Sequence, residues 1–287
     1  MVAVVAAVLL AACGSSSKSS SPPSTTTTVP KTRPKITVVA SEYKFVMPRN
    51  IPAGWVDVTL QNKGETGHQI AFVKLNSLTY AQFKAAASAT DLSKIKDAQF
   101  VGGPNNVDPG QSVTATVHLT PGAYAVACFI PADSDGKPHA AHGMIGQVTA
   151  VQSAASDDEA PTADAGKVAL SEFTFVPDAA FTGQGTVEID NVGNQVHEMI
   201  IMKLADGKTL TDAKKFLLAP PGSPAPAGAP PLTSAGGIVG LGPHQKMFET
   251  LSLTPGKYVL ACFFPDTSKP GGIPHALEGM LKEITIS

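Results

Sequence analysis

The chain has 287 residues, enough for about two average domains. Its 21 Lys and Arg against 23 Asp and Glu leave a formal net charge of −2, which removes any electrostatic case for nucleic-acid binding. Charged residues make up 15% of the chain, and 26 Gly and 24 Pro break up short apolar stretches, the composition of a loop-rich β protein rather than a helical one.

Three cysteines, Cys13, Cys128 and Cys262, cannot build a disulfide framework, so each needs its own explanation. Residues 1–13 are an apolar run, too short for a stable transmembrane helix, that ends in Leu10-Ala11-Ala12-Cys13. This opening resembles a bacterial lipoprotein signal. The resemblance implies cleavage before Cys13 and a diacylglycerol on its sulfur; the alternative is a secretory signal with an incidental cysteine. Residues 14–34 are rich in Ser, Thr and Pro and cannot bury a core, so they read as a spacer. The expected setting is the cell surface: an exported chain, lipid-anchored to the outer face of the cytoplasmic membrane.

Beyond residue 34 the chain repeats itself. A segment over 35–151, a polar linker over 152–165 and a segment over 166–287 are expected. SEYKFV (41–46) returns as SEFTFV (171–176), and NKGETGHQIAFVKL (62–75) as NVGNQVHEMIIMKL (191–204). LTPGAYAVACFIP (119–131) returns as LTPGKYVLACFFP (253–265), and PHAAHGM as PHALEGM. Alternation of apolar and polar residues marks strands at 55–62, 112–119, 185–191 and 246–253. Only 78–98 and 210–218 read as helical. About seven short strands in each half predict an all-β fold, two tandem Greek-key sandwiches each with a short helical insertion. The Pro- and Gly-rich stretch 219–237 reads as an exposed loop. Trp55, Tyr124, Tyr258, Phe129 and Phe263 read as packing residues, and His118 and His244, outside the repeat, as surface residues.

The donor residues that recur at matching places are His68, Cys128, His139 and Met144 in the first half, and His197, Cys262, His275 and Met280 in the second. The shared His-x₄-Met spacing aligns His139 with His275 and leaves His142 opposite Glu278, so His139 is the expected ligand. Two imidazoles, a thiolate and a thioether are a donor set suited to copper, and a His₂Cys plane with a distant Met is the electron-transfer form of it. Gly143 and Gly279 permit a tight turn before each Met.

Each half resembles the cupredoxins, the plastocyanin and azurin family of type 1 copper domains. The resemblance rests on Asn-x-Gly-x₃-His (Asn62 to His68, Asn191 to His197), Pro-Gly-x-Tyr-x₃-Cys, and His-x₄-Met leading into a last strand. It implies a Greek-key sandwich with one copper in each half, held by the eight residues just named. One departure is the length of chain between each Cys and the second His, which the family keeps to a few residues.

These readings predict an exported type 1 copper protein that carries single electrons to an unidentified redox protein. Copper storage, scavenging or delivery is one alternative, and a metal-free binding module is another. A multicopper oxidase is not expected, because no His-x-His or His-Cys-His run is present to build a further copper cluster. Pairing of Cys128 with Cys262 would require a special interface between the halves.

Overall fold

The computed structural model describes residues 1, 3, 33–89, 92–95, 97–152, 158–220, 229–269 and 272–287. The signal with Cys13, nearly all of the spacer and residues 153–157 of the linker lie outside them. Arg33–Ser287 form one compact unit. Among the described residues no helix is long and apolar enough to cross a membrane.

The first half contributes β1 (Lys35–Ser41), β2 (Lys44–Val46), β3 (Asn50–Pro52), β4 (Gly54–Asn62), β5 (Ala71–Lys74), α1 (Tyr80–Ser88), β6 (Gln99–Phe100), β7 (Ser112–Leu119), β8 (Gly122–Ala127) and β9 (Ile145–Val151). The second contributes β10 (Lys167–Ser171), β11 (Thr174–Pro177), β12 (Gln184–Asn191), β13 (His197–Leu204), α2 (Leu210–Leu217), β14 (Leu232–Leu241), β15 (Lys246–Ser252), β16 (Gly256–Ala261) and β17 (Leu281–Ile286). The first half layers β2-β1-β4-β7 over β3-β9-β8-β5-β6, and the second layers β11-β10-β12-β15 over β14-β13-β16-β17. The expected all-β Greek-key sandwich is therefore the observed architecture. Burial explains it: Val56, Val58 and Leu60 alternate inward along β4 and lose all exposure, as do Val187 and Ile189 on β12. Each such side chain contributes about 1.5–3 kcal/mol. The hydroxyls of the buried Tyr124 and Tyr258 donate to the carbonyls of Thr120 and Thr254 at 2.9 and 2.8 Å.

Two local expectations are corrected. The helix expected over 78–98 covers only Tyr80–Ser88, opened by a Thr79–Gln82 capping box, with a separate 3₁₀ turn at Leu92–Ile95. The loop expected over 219–237 is already strand β14 from Leu232, because Ile238 and Leu241 are buried against the core; residues 221–228 lie outside the described set. Cys128 and Cys262 lie just past β8 and β16, where the chain leaves the sheet toward the second His.

The halves share a sheet. β15 pairs with β7, and this joins the outer layers into eight strands. In this pairing Ala115 faces Glu249, its own counterpart in the repeat. Pro104 likewise bridges its counterpart Ile238. Four backbone hydrogen bonds of 2.9–3.0 Å tie Phe100–Asn105 to Gly237–Gly242. A residue that meets its own counterpart marks a pseudo-two-fold relation, the isologous contact of a dimer built within one chain. Trp55 packs edge-on against Phe248 at this seam, 5.2 Å between ring centres. Half-buried His118 lies tilted against Trp55, 4.8 Å between ring centres, which corrects its reading as a surface residue; His244 is exposed.

Candidate metal centres

The Asn-x-Gly turn presents the first His. Fully buried Asn62 accepts the Gly64 N–H at 2.8 Å and donates to the carbonyls of Thr66 and Val107, both at 2.7 Å. Asn191 does the same with Gly193, Gln195 and Leu241. The second His opens a 3₁₀ turn, His139–His142 or His275–Glu278, closed by Gly143 or Gly279 at φ 109° and 111°. That left-handed closure favours glycine. The long stretch between Cys and His is pinched shut by the bridges Pro131–Pro138 and Pro265–Pro274. The His139 N–H then donates to Ile130, and that of His275 to Phe264, each at 2.9 Å. The extra residues therefore form a side excursion and leave the second His anchored beside the cysteine.

In the first half His68 Nδ1 lies 3.2 Å from His139 Nδ1, and Cys128 Sγ lies 3.5 Å from the latter. In the second, His197 and His275 are 3.1 Å apart and Cys262 Sγ is 3.4 Å from His275. Each trio gathers its donor atoms within 4.8 Å, and all six residues are buried. Metal bonds of about 2.0 Å to imidazole and about 2.3 Å to thiolate set donors roughly 3.3–3.7 Å apart, so both trios fit one ion each. Among the described residues the buried Nε2 atoms of His68, His197 and His275 have no hydrogen-bond partner. Met144 and Met280 are fully buried, and their carbonyls accept the N–H of Cys128 and Cys262 at 3.1 and 3.2 Å. Cys128 and Cys262 are free thiols, not a disulfide.

The electrostatics keep the imidazoles neutral and their lone pairs available. Burial lowers the pKa of His68, His139 and His275. Burial, with the charge of His275 beside it, takes His197 down to about 4 against the pull of Glu172. Burial pushes the Cys128 thiol up to about 12, although the N–H groups of Gln69 and Ile130 favour its anion. Cys262 is raised by burial and by Glu198. A thiolate in so dry a place needs a cation beside it, which is what a metal provides.

His142 points elsewhere. Its Nε2 meets Asp135 at 3.0 Å, and its ring stacks on Tyr43 at 4.7 Å. At the corresponding place Glu278 pairs with Lys269, so both halves hold a side-chain pair here, with the acidic partner on opposite sides.

Two carboxylates belong to the sites and escaped the sequence reading. Glu42 accepts the N–H groups of Glu65 and Thr66 at 2.6 and 3.0 Å and lies 3.5 Å from His68 Nε2. Glu172 does the same for Asn194 and Gln195 and lies 4.0 Å from His197 Nε2. Burial opposes the charge of Glu42, but the backbone donors and His68 outweigh it and hold its pKa at about 2. A side chain at Gly64 would sit 2.8 Å from the His68 ring, so glycine makes room for this contact. The signal was the SE pair shared by SEYKFV and SEFTFV. The halves differ beside the first His, where Gln69 is replaced by Glu198, a buried carboxyl raised to about 7 by burial against the N–H of Phe263 and the Asn105 side chain.

No family model matches the chain, and no curated protein matches it. Solved structures do. The chain is similar to a dithionite-reduced auracyanin from the photosynthetic bacterium Roseiflexus castenholzii, at 22% identity and a TM-score of 0.31, over 41% of this chain and 96% of that one. It is similar to auracyanin A, described as a blue copper protein of Chloroflexus aurantiacus, at 16% identity and a TM-score of 0.28, over 41% and 99%. It is also similar to a rusticyanin variant, at 26% identity and a TM-score of 0.28, over 42% of this chain and 79% of that one.

Proposed function

We propose that the chain is a two-centre copper protein that transfers single electrons, with one centre in each of the segments 35–151 and 166–287. The observation that carries the reading is the doubled trio of buried imidazole, thiolate and imidazole, each with its His–His and Cys–second-His edges at 3.1–3.5 Å and all donor atoms within 4.8 Å. Copper held there would cycle between Cu(I) and Cu(II) and so accept and release one electron. The residues supply the rest. Soft sulfur from Cys128 or Cys262 with two imidazoles selects copper, and buried Met144 or Met280 supplies the thioether of such a set. The strands, the Asn62 and Asn191 turns and the pinched loops hold the donors in place and exclude water. A ligand cage that need not rearrange suits repeated electron transfer better than the release of a metal cargo.

We propose further that the mature chain is exported and tethered by lipid at Cys13. The 14–34 spacer then holds both centres off the membrane, where a soluble or membrane-bound redox protein can reach them. The reading includes no oxidase chemistry.

The test is substitution of one cysteine at a time in the full chain. Cys128→Ser should remove the intense thiolate-to-copper band of the first centre and leave that of the second, and Cys262→Ser the reverse. Loss of both bands from either substitution would mean one shared centre and would defeat the two-centre reading.

A further inference from the structure

The two trios are not isolated from each other. Phe129 follows Cys128 directly, and its ring lies 6.2 Å from that of Phe100. The Phe100 ring lies 5.2 Å, edge to face, from Phe264, which belongs to the other half. Phe264 lies two residues beyond Cys262, and its carbonyl accepts the N–H of His275. Three rings in van der Waals series therefore connect a ligand residue of one trio to a ligand residue of the other.

The series is built in. Phe100 is 4% and Phe264 7% exposed. The Phe100 carbonyl accepts the Gly242 N–H at 2.9 Å, and Gly102 donates to Gly240 at 3.0 Å, so the segment bearing Phe100 is bonded across the seam. Gly240 leaves room for the rings: a Cβ there would lie 2.7 Å from Phe264 and 3.0 Å from Phe100. An apolar groove beside the series is lined by Gln69, Phe129, Ile130, Glu198, Phe263 and Pro265, all within two residues of a ligand except Pro265. Electron tunnelling falls off less steeply through packed, bonded atoms than across water, and the three rings offer such a packed route between the centres, buried at Phe100 and Phe264 and partly exposed at Phe129.

We propose that the two centres form one redox unit, and that Phe129, Phe100 and Phe264 carry an electron between them. The inference rests on the copper reading above. In the exchange one reduced centre gives up a single electron and is oxidised while the other is reduced; no bond forms or breaks, no proton moves, and no further reagent is needed. The chain could then take an electron at one face and deliver it from another.

The experiment uses the full chain loaded with copper and carrying Met280→Gln, which gives the second centre a distinguishable visible band and a different potential. Fewer than one electron per chain is injected from a photoexcited ruthenium polypyridyl complex, and both bands are followed. The expected result is a re-equilibration phase whose rate does not depend on protein concentration. Phe100→Leu, or independently Phe264→Leu, should slow it several-fold while both bands stay in place and the metal-free protein still melts cooperatively, at a lower temperature because each ring is buried. An exchange rate proportional to protein concentration overturns the proposal, and so does a rate that neither substitution changes. The concentration dependence is read with all three phenylalanines present, so it decides even where a substituted chain does not fold. Absence of a thiolate-to-copper band at both centres defeats the copper reading itself, whereas two bands with only intermolecular exchange defeat this proposal alone.

Discussion

His139 and His142 lie one turn apart and do different work. His139 is 1% exposed and faces Cys128 and His68; His142 is bonded to Asp135 and stacked on Tyr43. The fork between them was legible from the repeat alone, because Glu278 stands where His142 does. What the repeat could not show was the reason, a hydrogen bond to Asp135 and a ring stack on Tyr43 on the outer side of the turn. His139→Ala should abolish the first centre's visible band and copper affinity, while His142→Ala leaves both nearly unchanged. Visible titration of the two variants in a Cys262→Ser background checks this, and the opposite pattern would reassign the ligand. Glu42 and Glu172 were visible in the sequence only as repeated letters. Their role lies in the third dimension, where a hairpin carries each carboxylate back over the Asn-x-Gly turn to the far side of the first His.

At the scale of elements, strands with strict alternation were read almost to the residue, as at β12, expected over 185–191 and found over Gln184–Asn191, since period-two burial is a local property. β14 was not, because TSAGGIVGL has glycine where a strand usually has side chains. The glycines are there for close approach. Gly103 and Gly237 both have positive φ, and a Cβ on either would collide with a backbone carbonyl, that of Ile70 or of Met199. Such constraints come from the neighbouring strand and leave no period in the sequence. The same crowding buries Glu249 of β15. Its Oε1 accepts the Gly237 N–H at 2.9 Å, and among the described residues its Oε2 has no hydrogen-bond partner. Burial raises its pKa from 4.5 to about 7, only partly offset by that N–H. A carboxyl raised on folding stabilises the fold fully below its unfolded value and loses that contribution as pH rises through the folded value. From pH 4.5 to 7 the native metal-free protein should therefore lose up to about 3 kcal/mol relative to Glu249→Gln, which keeps the acceptor and cannot ionise. Denaturant melts of the two proteins across this range check it; parallel stability curves would show that Glu249 is ionised or solvated throughout.

At the scale of the whole molecule, the repeat foretold two similar sandwiches but not their joining. Nothing in either half announces that β15 will pair with β7, or that Pro104 will meet Ile238, since each edge alone reads as an ordinary strand end. The seam converts two beads on a string into one body of Arg33–Ser287 and gives the centres a fixed relation. The central claim is that both trios hold copper through their thiolates. Its most direct test is titration of the metal-free full chain with copper under visible spectroscopy and metal analysis. The account predicts an intense thiolate-to-copper band that grows until one ion fills each of the two trios and then stops. Binding without that band, or a band that saturates with a single ion per chain, would contradict it.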